Sequence, residues 1–77
     1  MINIEKVKEL LSAFCPYSPE EIEMDNDLIA DLEFDSFCLM DMLLAFEKEF
    51  EISIPDRDIR LFITVSDIIN YLEAKTA

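Results

Sequence analysis

The absence of glycine is the feature that most limits how this 77-residue chain can fold. Glycine is the usual residue in tight turns with a positive φ, so a chain without it cannot depend on many such turns. The sequence has only three prolines, and 52% of its residues are hydrophobic. This combination favours long regular helices over a meander of short strands or a disordered chain. We therefore predict a single small all-α domain over residues 1–77.

The spacing of the apolar residues predicts four helices. They cover residues 4 to about 15, 36–50, 57–62, and 65 to about 75. Pro16 should stop the first helix, and Asp56 should cap the short third one. Thr64 and Asp67 form a capping-box pattern at the start of the last helix. The expected architecture is a small four-helix bundle of three longer helices and one short helix.

A long loop should join the first and second helices. The segment SPEEI carries a start signal, with Ser18 as cap and Glu21 placed to complete a capping box, but no helical pattern follows it. We predict a single turn there. Loops of this length are uncommon in compact domains, so we expect apolar side chains to anchor it between the helices. The predicted anchors are Ile22, Met24, Leu28 and Leu32.

The charge of the chain is strongly and unevenly negative. Eighteen acidic and six basic side chains give a net charge of −12. Residues 20–51 hold twelve carboxylates and one cation, Lys48. Such a surface argues against binding to nucleic acid or to an anionic membrane and favours basic partners. The longest apolar run is five residues, so we expect a cytoplasmic monomer with no membrane insertion.

The second predicted helix carries apolar residues on two faces. The stripe expected to face the core consists of Leu39, Met42, Leu43, Phe46 and Phe50. Phe37, Met40 and Leu44 fall on a different arc, which Asp41 and Glu47 border. This outer stripe is either covered by the long loop, scattered on the surface, or open as a docking surface, since exposed apolar patches usually mark interaction sites.

Ser36 lies at the start of the same helix, directly after Asp35. Either residue can cap the helix, which is a purely structural role. The chain contains no histidine, so no Ser-His or Cys-His pair is available to activate a nucleophile. The two cysteines, Cys15 and Cys38, do not have a metal-ligand spacing, and we expect reduced thiols and no metal site.

Two segments, DLEFDSFCLMDMLLAFEKEFEISIP and TVSDIINYLEAK, together resemble the acyl carrier protein family. The resemblance runs over almost the whole chain and includes the DS pair at the head of the second helix. It implies that a phosphopantetheinyl transferase attaches 4′-phosphopantetheine to Ser36, with Asp35 as the motif neighbour. The thiol of this arm would hold acyl intermediates as thioesters. The chain itself would not be an enzyme.

The resemblance also implies partners and a surface that binds them. The partners would be acyl-loading, condensing and other acyl-processing enzymes of fatty-acid, polyketide or related biosynthesis. The family uses the second helix as its recognition element, which makes Phe37, Met40, Asp41, Leu44 and Glu47 the predicted partner-binding residues. Apolar contact would fix the complex, while negative charge would guide basic docking surfaces towards it.

Four positions depart from the family pattern. Glu33 stands where many members have glycine, so the loop lacks the backbone freedom of that residue. Cys38 replaces a residue that is often acidic, Lys48 reverses a charge, and Phe37 replaces the usual leucine. These departures bear on recognition by the transferase and on partner choice. A further hypothesis places an acyl chain in a cleft beside Met24, Met42 and Ala45.

Other interpretations of the chain lead to different classes of function. It could be an aminoacyl or peptidyl carrier, or a carrier-fold interaction subunit that receives no arm. The segment DNDLIADLEFDS begins like a calcium-binding loop with Asp25 and Asp27. However, Ile29 and Ala30 stand where a ligand and the turn glycine belong, and Ser36 replaces the bidentate glutamate. A calcium sensor is therefore not expected.

Overall fold

The computed structural model describes residues 2–76, which fold into three α-helices and two short 3₁₀ helices. The α-helices are α1 (Ile4–Ser12), α2 (Ser36–Phe50) and α3 (Val65–Thr76), and the 3₁₀ helices are Pro19–Glu21 and Asp56–Leu61. The prediction of three longer helices and one short helix is confirmed, as is the single turn at SPEEI. The short helix begins at Asp56, directly after Pro55, and has no side-chain cap, so the prediction that Asp56 caps it was wrong. None of the helices in this part of the chain has the length and apolar character needed to cross a membrane.

The helix boundaries agree with prediction for α2 but not for α1. The second helix covers residues 36–50, as predicted. The first ends at Ser12 rather than at about residue 15, so the predicted end was wrong. Pro16 disfavours helical backbone at the residue before it, and the chain tightens ahead of that point. The N–H groups of Ala13 and Phe14 therefore donate three residues back, at 3.2 and 3.0 Å.

The predicted cap of α3 is present in full. The Thr64 N–H donates to Asp67 Oδ2 at 3.0 Å, and the Asp67 N–H donates to Thr64 Oγ1 at 3.3 Å. The hydrogen bonds from the backbone of Thr64 and Ile63 lower the pKa of Asp67 below its usual value. The carboxylate is therefore ionised at neutral pH and stabilises the helix start.

The core is formed by one face of each α-helix, by the long loop between α1 and α2, and by Ile2, Ile54 and Phe62 from the remaining segments. The inner stripe of α2 is buried at Leu39, Met42, Leu43 and Phe46, whereas Phe50 is half-buried. The loop inserts Ile22, Leu28 and Leu32 as predicted, with Met24 partly buried. It also inserts Phe34, which is only 2% exposed and was not among the predicted anchors.

The long loop is hydrogen-bonded to the segment that precedes α3. Asp27 and Thr64 form an isolated antiparallel bridge, and the Leu28 N–H donates to the Ile63 carbonyl at 2.9 Å. The Ser66 N–H donates to the Met24 carbonyl, also at 2.9 Å. These backbone bonds fix the loop on α3 and so fix the path by which the chain enters α2.

Candidate functional site

Asp35, not Ser36, caps α2. Asp35 Oδ1 accepts a hydrogen bond from the Cys38 N–H at 2.8 Å. The hydrogen bonds from Cys38 hold the pKa of Asp35 below its usual value, so this carboxylate is ionised at neutral pH. Ser36 is the first residue of the helix, and its side chain is exposed. The cap therefore leaves the Ser36 hydroxyl available for another role.

The other aliphatic hydroxyls within residues 2–76 show what distinguishes Ser36. Those with a protein hydrogen-bond partner are Ser12, Ser18, Thr64, Ser66 and Thr76. Ser36 and Ser53 are the two exposed serines outside that group. Ser53 lies in the extended connection after α2, whereas Ser36 lies at the N-terminus of a 15-residue helix. The free N–H groups and the positive dipole end at Ser36 favour an attached anion.

The outer stripe of α2 is open to solvent. Phe37 is 82% exposed, Met40 is 43% exposed and Leu44 is 56% exposed. Asp41 is exposed on the same face. The long loop does not cover this stripe, so the structure brings Ser36 and these four residues together along one side of a single helix. Their binding role stays a prediction.

Glu47 differs from the other predicted partner-binding residues. Its Oε2 atom accepts a hydrogen bond from the Ile54 N–H at 2.7 Å, which ties α2 to the connection that follows it. Together with Leu44 and Lys48, it borders an open surface groove of about 580 Å³ that Ile52 and Ser53 complete. Glu47 thus has a structural role that the sequence did not reveal.

The remaining residues that the sequence analysis singled out are two cysteines and two methionines. Cys15 and Cys38 are free thiols. The hydrogen bond to Asp35 and burial raise the pKa of Cys38, so this thiol is protonated at neutral pH. Met42 is completely buried, Met24 is partly buried, and both pack in the core.

The carboxylates of the acidic loop bind backbone amides of the loop itself. Asp31 Oδ2 accepts from the Asp27 N–H at 2.7 Å. Asp27 Oδ1 accepts from the Ile29 and Ala30 N–H groups at 2.9 and 2.8 Å. These side chains close the loop on itself and explain why it is ordered without glycine.

Comparisons with known proteins identify the family. Residues 5–72 match the family model described as the phosphopantetheine attachment site. An acyl carrier protein from Clostridium acetobutylicum is 35% identical over 72 residues, covering 94% of each chain. Another from Campylobacter fetus is 30% identical over 73 residues, covering 95% of each. The chain belongs to the acyl carrier protein family. The provisionally assigned acyl carrier protein from Mycobacterium tuberculosis has a solved structure with a TM-score of 0.84, 26% identity, and coverage of 94% of this chain and 97% of its own.

Membership in the acyl carrier protein family implies a covalently attached 4′-phosphopantetheine. The group is linked through a phosphodiester, so the residue that holds it needs a hydroxyl that a separate enzyme can reach. A serine that is exposed is accessible to that enzyme, and the N–H groups of a helix start favour the negative charge of the phosphate. Ser36 meets these requirements, although the negative charge of the neighbouring Asp35 opposes that of the phosphate.

Proposed function

We propose that this acyl carrier protein holds its arm on Ser36 and carries acyl intermediates between enzymes of fatty-acid, polyketide or related biosynthesis. One observation carries the proposal: the Ser36 hydroxyl is exposed at the first position of α2, while Asp35 makes the cap. A serine that is not needed for the fold at this position is available to a transferase. The attached group supplies a thiol that holds the acyl cargo as a thioester.

The protein supplies position and recognition, and it performs no catalysis itself. Asp35 fixes the first turn of α2 by accepting the hydrogen bond from the Cys38 N–H. This bond also fixes the backbone of Ser36, from which the arm would extend. The chain has no histidine to act as a base, and the Cys38 thiol is protonated at neutral pH. Support for a carrier rather than an enzyme therefore comes from the chemistry of the side chains near Ser36.

Partner enzymes dock on the outer stripe of α2. Phe37, Met40 and Leu44 offer apolar contact next to Ser36, and Asp41 adds a negative charge on the same face. The net charge of −12 steers the protein towards basic surfaces, which raises the encounter rate more than the affinity. A shuttle benefits from this balance, because it must bind many enzymes briefly. The first such partner is the phosphopantetheinyl transferase.

Intact mass after incubation with a phosphopantetheinyl transferase and coenzyme A tests the attachment residue. We expect wild-type protein to gain one phosphopantetheine group. Ser36→Ala should gain none, whereas the matched control Ser53→Ala should be modified like wild type. Modification of Ser36→Ala, or loss of modification in Ser53→Ala, would contradict the proposal. A wild-type protein that no transferase modifies would instead indicate an unmodified interaction subunit.

Loading of the modified protein tests the class of cargo. We expect enzymes that transfer malonyl or fatty acyl groups to form a thioester on the arm, with the expected mass increase. Amino-acid-activating enzymes should give no product. The reverse pattern would assign the protein to the aminoacyl or peptidyl carriers and would refute the proposed cargo.

A further inference from the structure

Glu33 has a backbone conformation that is unfavourable for its residue type. Its φ is 63°, in the left-handed region that glycine enters freely and that a side chain with a Cβ atom disfavours. It lies three residues before Ser36, in the segment that enters α2. Such a conformation persists only where surrounding contacts hold it.

Tyr17 provides a contact that holds Glu33. The Tyr17 hydroxyl donates a hydrogen bond to Glu33 Oε2 at 2.6 Å, across a sequence separation of 16 residues. The ring of Tyr17 is half-buried and packs against the core, so the hydroxyl is presented from a fixed base. The hydrogen bond and the negative charge of Glu33 raise the pKa of Tyr17, so the phenol is a donor throughout the physiological pH range.

The residues between Glu33 and Ser36 transmit this conformation to the start of α2. Leu32 and Phe34, on either side of Glu33, are each 2% exposed, so both side chains are fixed in the core. The Phe34 N–H donates to the Leu28 carbonyl at 3.0 Å, and Asp35 caps the helix. A different φ at Glu33 would have to displace Phe34 or Asp35. The backbone at Glu33 thus decides where Ser36 stands relative to the loop.

We propose that Tyr17 is a positioning residue for attachment of the arm, because its hydrogen bond holds Glu33 in the conformation that presents Ser36 to the transferase. This inference rests on the proposed function of Ser36. Tyr17 does not touch the hydroxyl that is modified, and it acts through Glu33 and the segment that follows. A glycine at position 33 would adopt the positive φ without support, whereas Glu33 needs the hydrogen bond from Tyr17.

Steady-state kinetics of the transferase with each variant as substrate test the inference. Tyr17→Phe keeps the ring and removes only the hydroxyl. We expect the KM for the carrier to rise roughly three- to tenfold, the range for loss of one hydrogen bond, with kcat little changed. Tyr71→Phe is a matched control, because it removes a Tyr71–Asp58 hydrogen bond of the same type and length, 2.6 Å, outside the segment that enters α2. Its KM should equal that of wild type.

The variant Glu33→Gly distinguishes a positioning role of Tyr17 from a general loss of stability. Glycine adopts a positive φ without support, so Glu33→Gly should keep a KM near that of wild type. Adding Tyr17→Phe to Glu33→Gly should then have no further effect. Circular dichroism at the assay temperature should show every variant fully folded.

Several outcomes would overturn the inference. An unchanged KM for Tyr17→Phe, an equal rise for Tyr71→Phe, or an equal effect of Tyr17→Phe with and without Glu33→Gly would each do so. In those cases modification of wild type on Ser36 would still support the proposed function. A wild-type protein that is never modified on Ser36 would overturn both.

Discussion

The two ends of α2 place the same residue type in the same unusual conformation but support it differently. Glu51 follows the helix with φ 54° and ψ 49°, and Glu33 precedes it with φ 63°. At Glu51, the support comes from the backbone, since its own N–H and that of Ile52 both donate to the Glu47 carbonyl. At Glu33, a side-chain hydrogen bond arrives from Tyr17.

The conformation of Glu51 is supported locally, whereas that of Glu33 depends on a contact from another part of the fold. The backbone contacts at the C-terminal end join residues within one turn, as at many helix ends. The N-terminal end is joined to the segment after α1, sixteen residues earlier. Ser36 lies at the end that depends on the rest of the fold. We therefore expect the proposed site of attachment to be sensitive to contacts elsewhere in the chain.

Removal of the Phe46 ring should have the largest effect, because it weakens the helix that joins both ends. Phe46 is fully buried and stacks with Phe50 at a centroid distance of 6.0 Å. We expect Phe46→Ala to lower the free energy of unfolding by about 3–5 kcal/mol, measured by urea denaturation. Leu44→Ala, on the exposed face, should change it by less than about 0.5 kcal/mol. Equal losses would contradict the assignment of the two faces.

Glycine substitutions compare the two ends directly. Glu51→Gly should raise the free energy of unfolding by up to about 1 kcal/mol, because it relieves the left-handed backbone and keeps the hydrogen bonds to Glu47. Glu33→Gly should raise it less, because that change also removes the bond from Tyr17. Thermal unfolding of both variants measures the difference. A larger gain for Glu33→Gly would contradict the expected contribution of the Tyr17 hydrogen bond to stability.

Titration of Asp35 should have a smaller effect on stability, and this residue acts only at the N-terminal end of α2. Its pKa is lower in the folded protein than its usual value, because it accepts hydrogen bonds from Cys38. Its contribution is therefore present above the unfolded pKa and is lost as the pH falls below about 4. Asp35→Asn keeps a cap acceptor but does not titrate. The Tm of wild type should fall more steeply in acid than that of Asp35→Asn, and parallel curves would contradict this.

The smallest expected effect is that of single charges along the outer face of α2 on the rate of association with the transferase. Asp41 lies about 8 Å along the helix axis from Ser36, whereas Glu51 lies about 22 Å away, beyond the screening length. Asp41→Asn should slow association with the transferase about twofold at low salt and less at high salt, as stopped-flow kinetics can show. Glu51→Gln should change the rate less. Equal changes would indicate that only the total charge guides encounter.

The sequence predicts most of the fold because the helices follow local rules. The bounds of α2 follow from the Asp35 cap and the helical spacing of its inner stripe. The end of α1 was placed too late, because Pro16 disfavours helical backbone at the residue before it but does not fix how many residues earlier the helix ends. Phe34 was missed because it lies in an irregular loop, where burial follows from the path of the backbone and leaves no periodic pattern.

The candidate site divides in the same way. Ser36 and the outer stripe could be predicted from a motif and from helical periodicity. The contact between Tyr17 and Glu33 could not, because it joins residues 16 apart through the tertiary fold. The bond from the Ile54 N–H to Glu47 is of the same kind. The one signal was the glutamate at position 33, where many members of the family have glycine. It indicated a loop without the backbone freedom of glycine, but it did not indicate the contact from Tyr17.

Tandem mass spectrometry of the modified wild-type protein shows whether Ser36 itself holds the phosphopantetheine group. Trypsin cuts after Lys8, Lys48 and Arg57, so Ser36 and Ser53 fall in separate peptides, 9–48 and 49–57. We expect a phosphopantetheine group on peptide 9–48, in fragment ions that contain Ser36 but lack Ser12 and Ser18. The same group on peptide 49–57, or on fragments that end before Ser36, would contradict it.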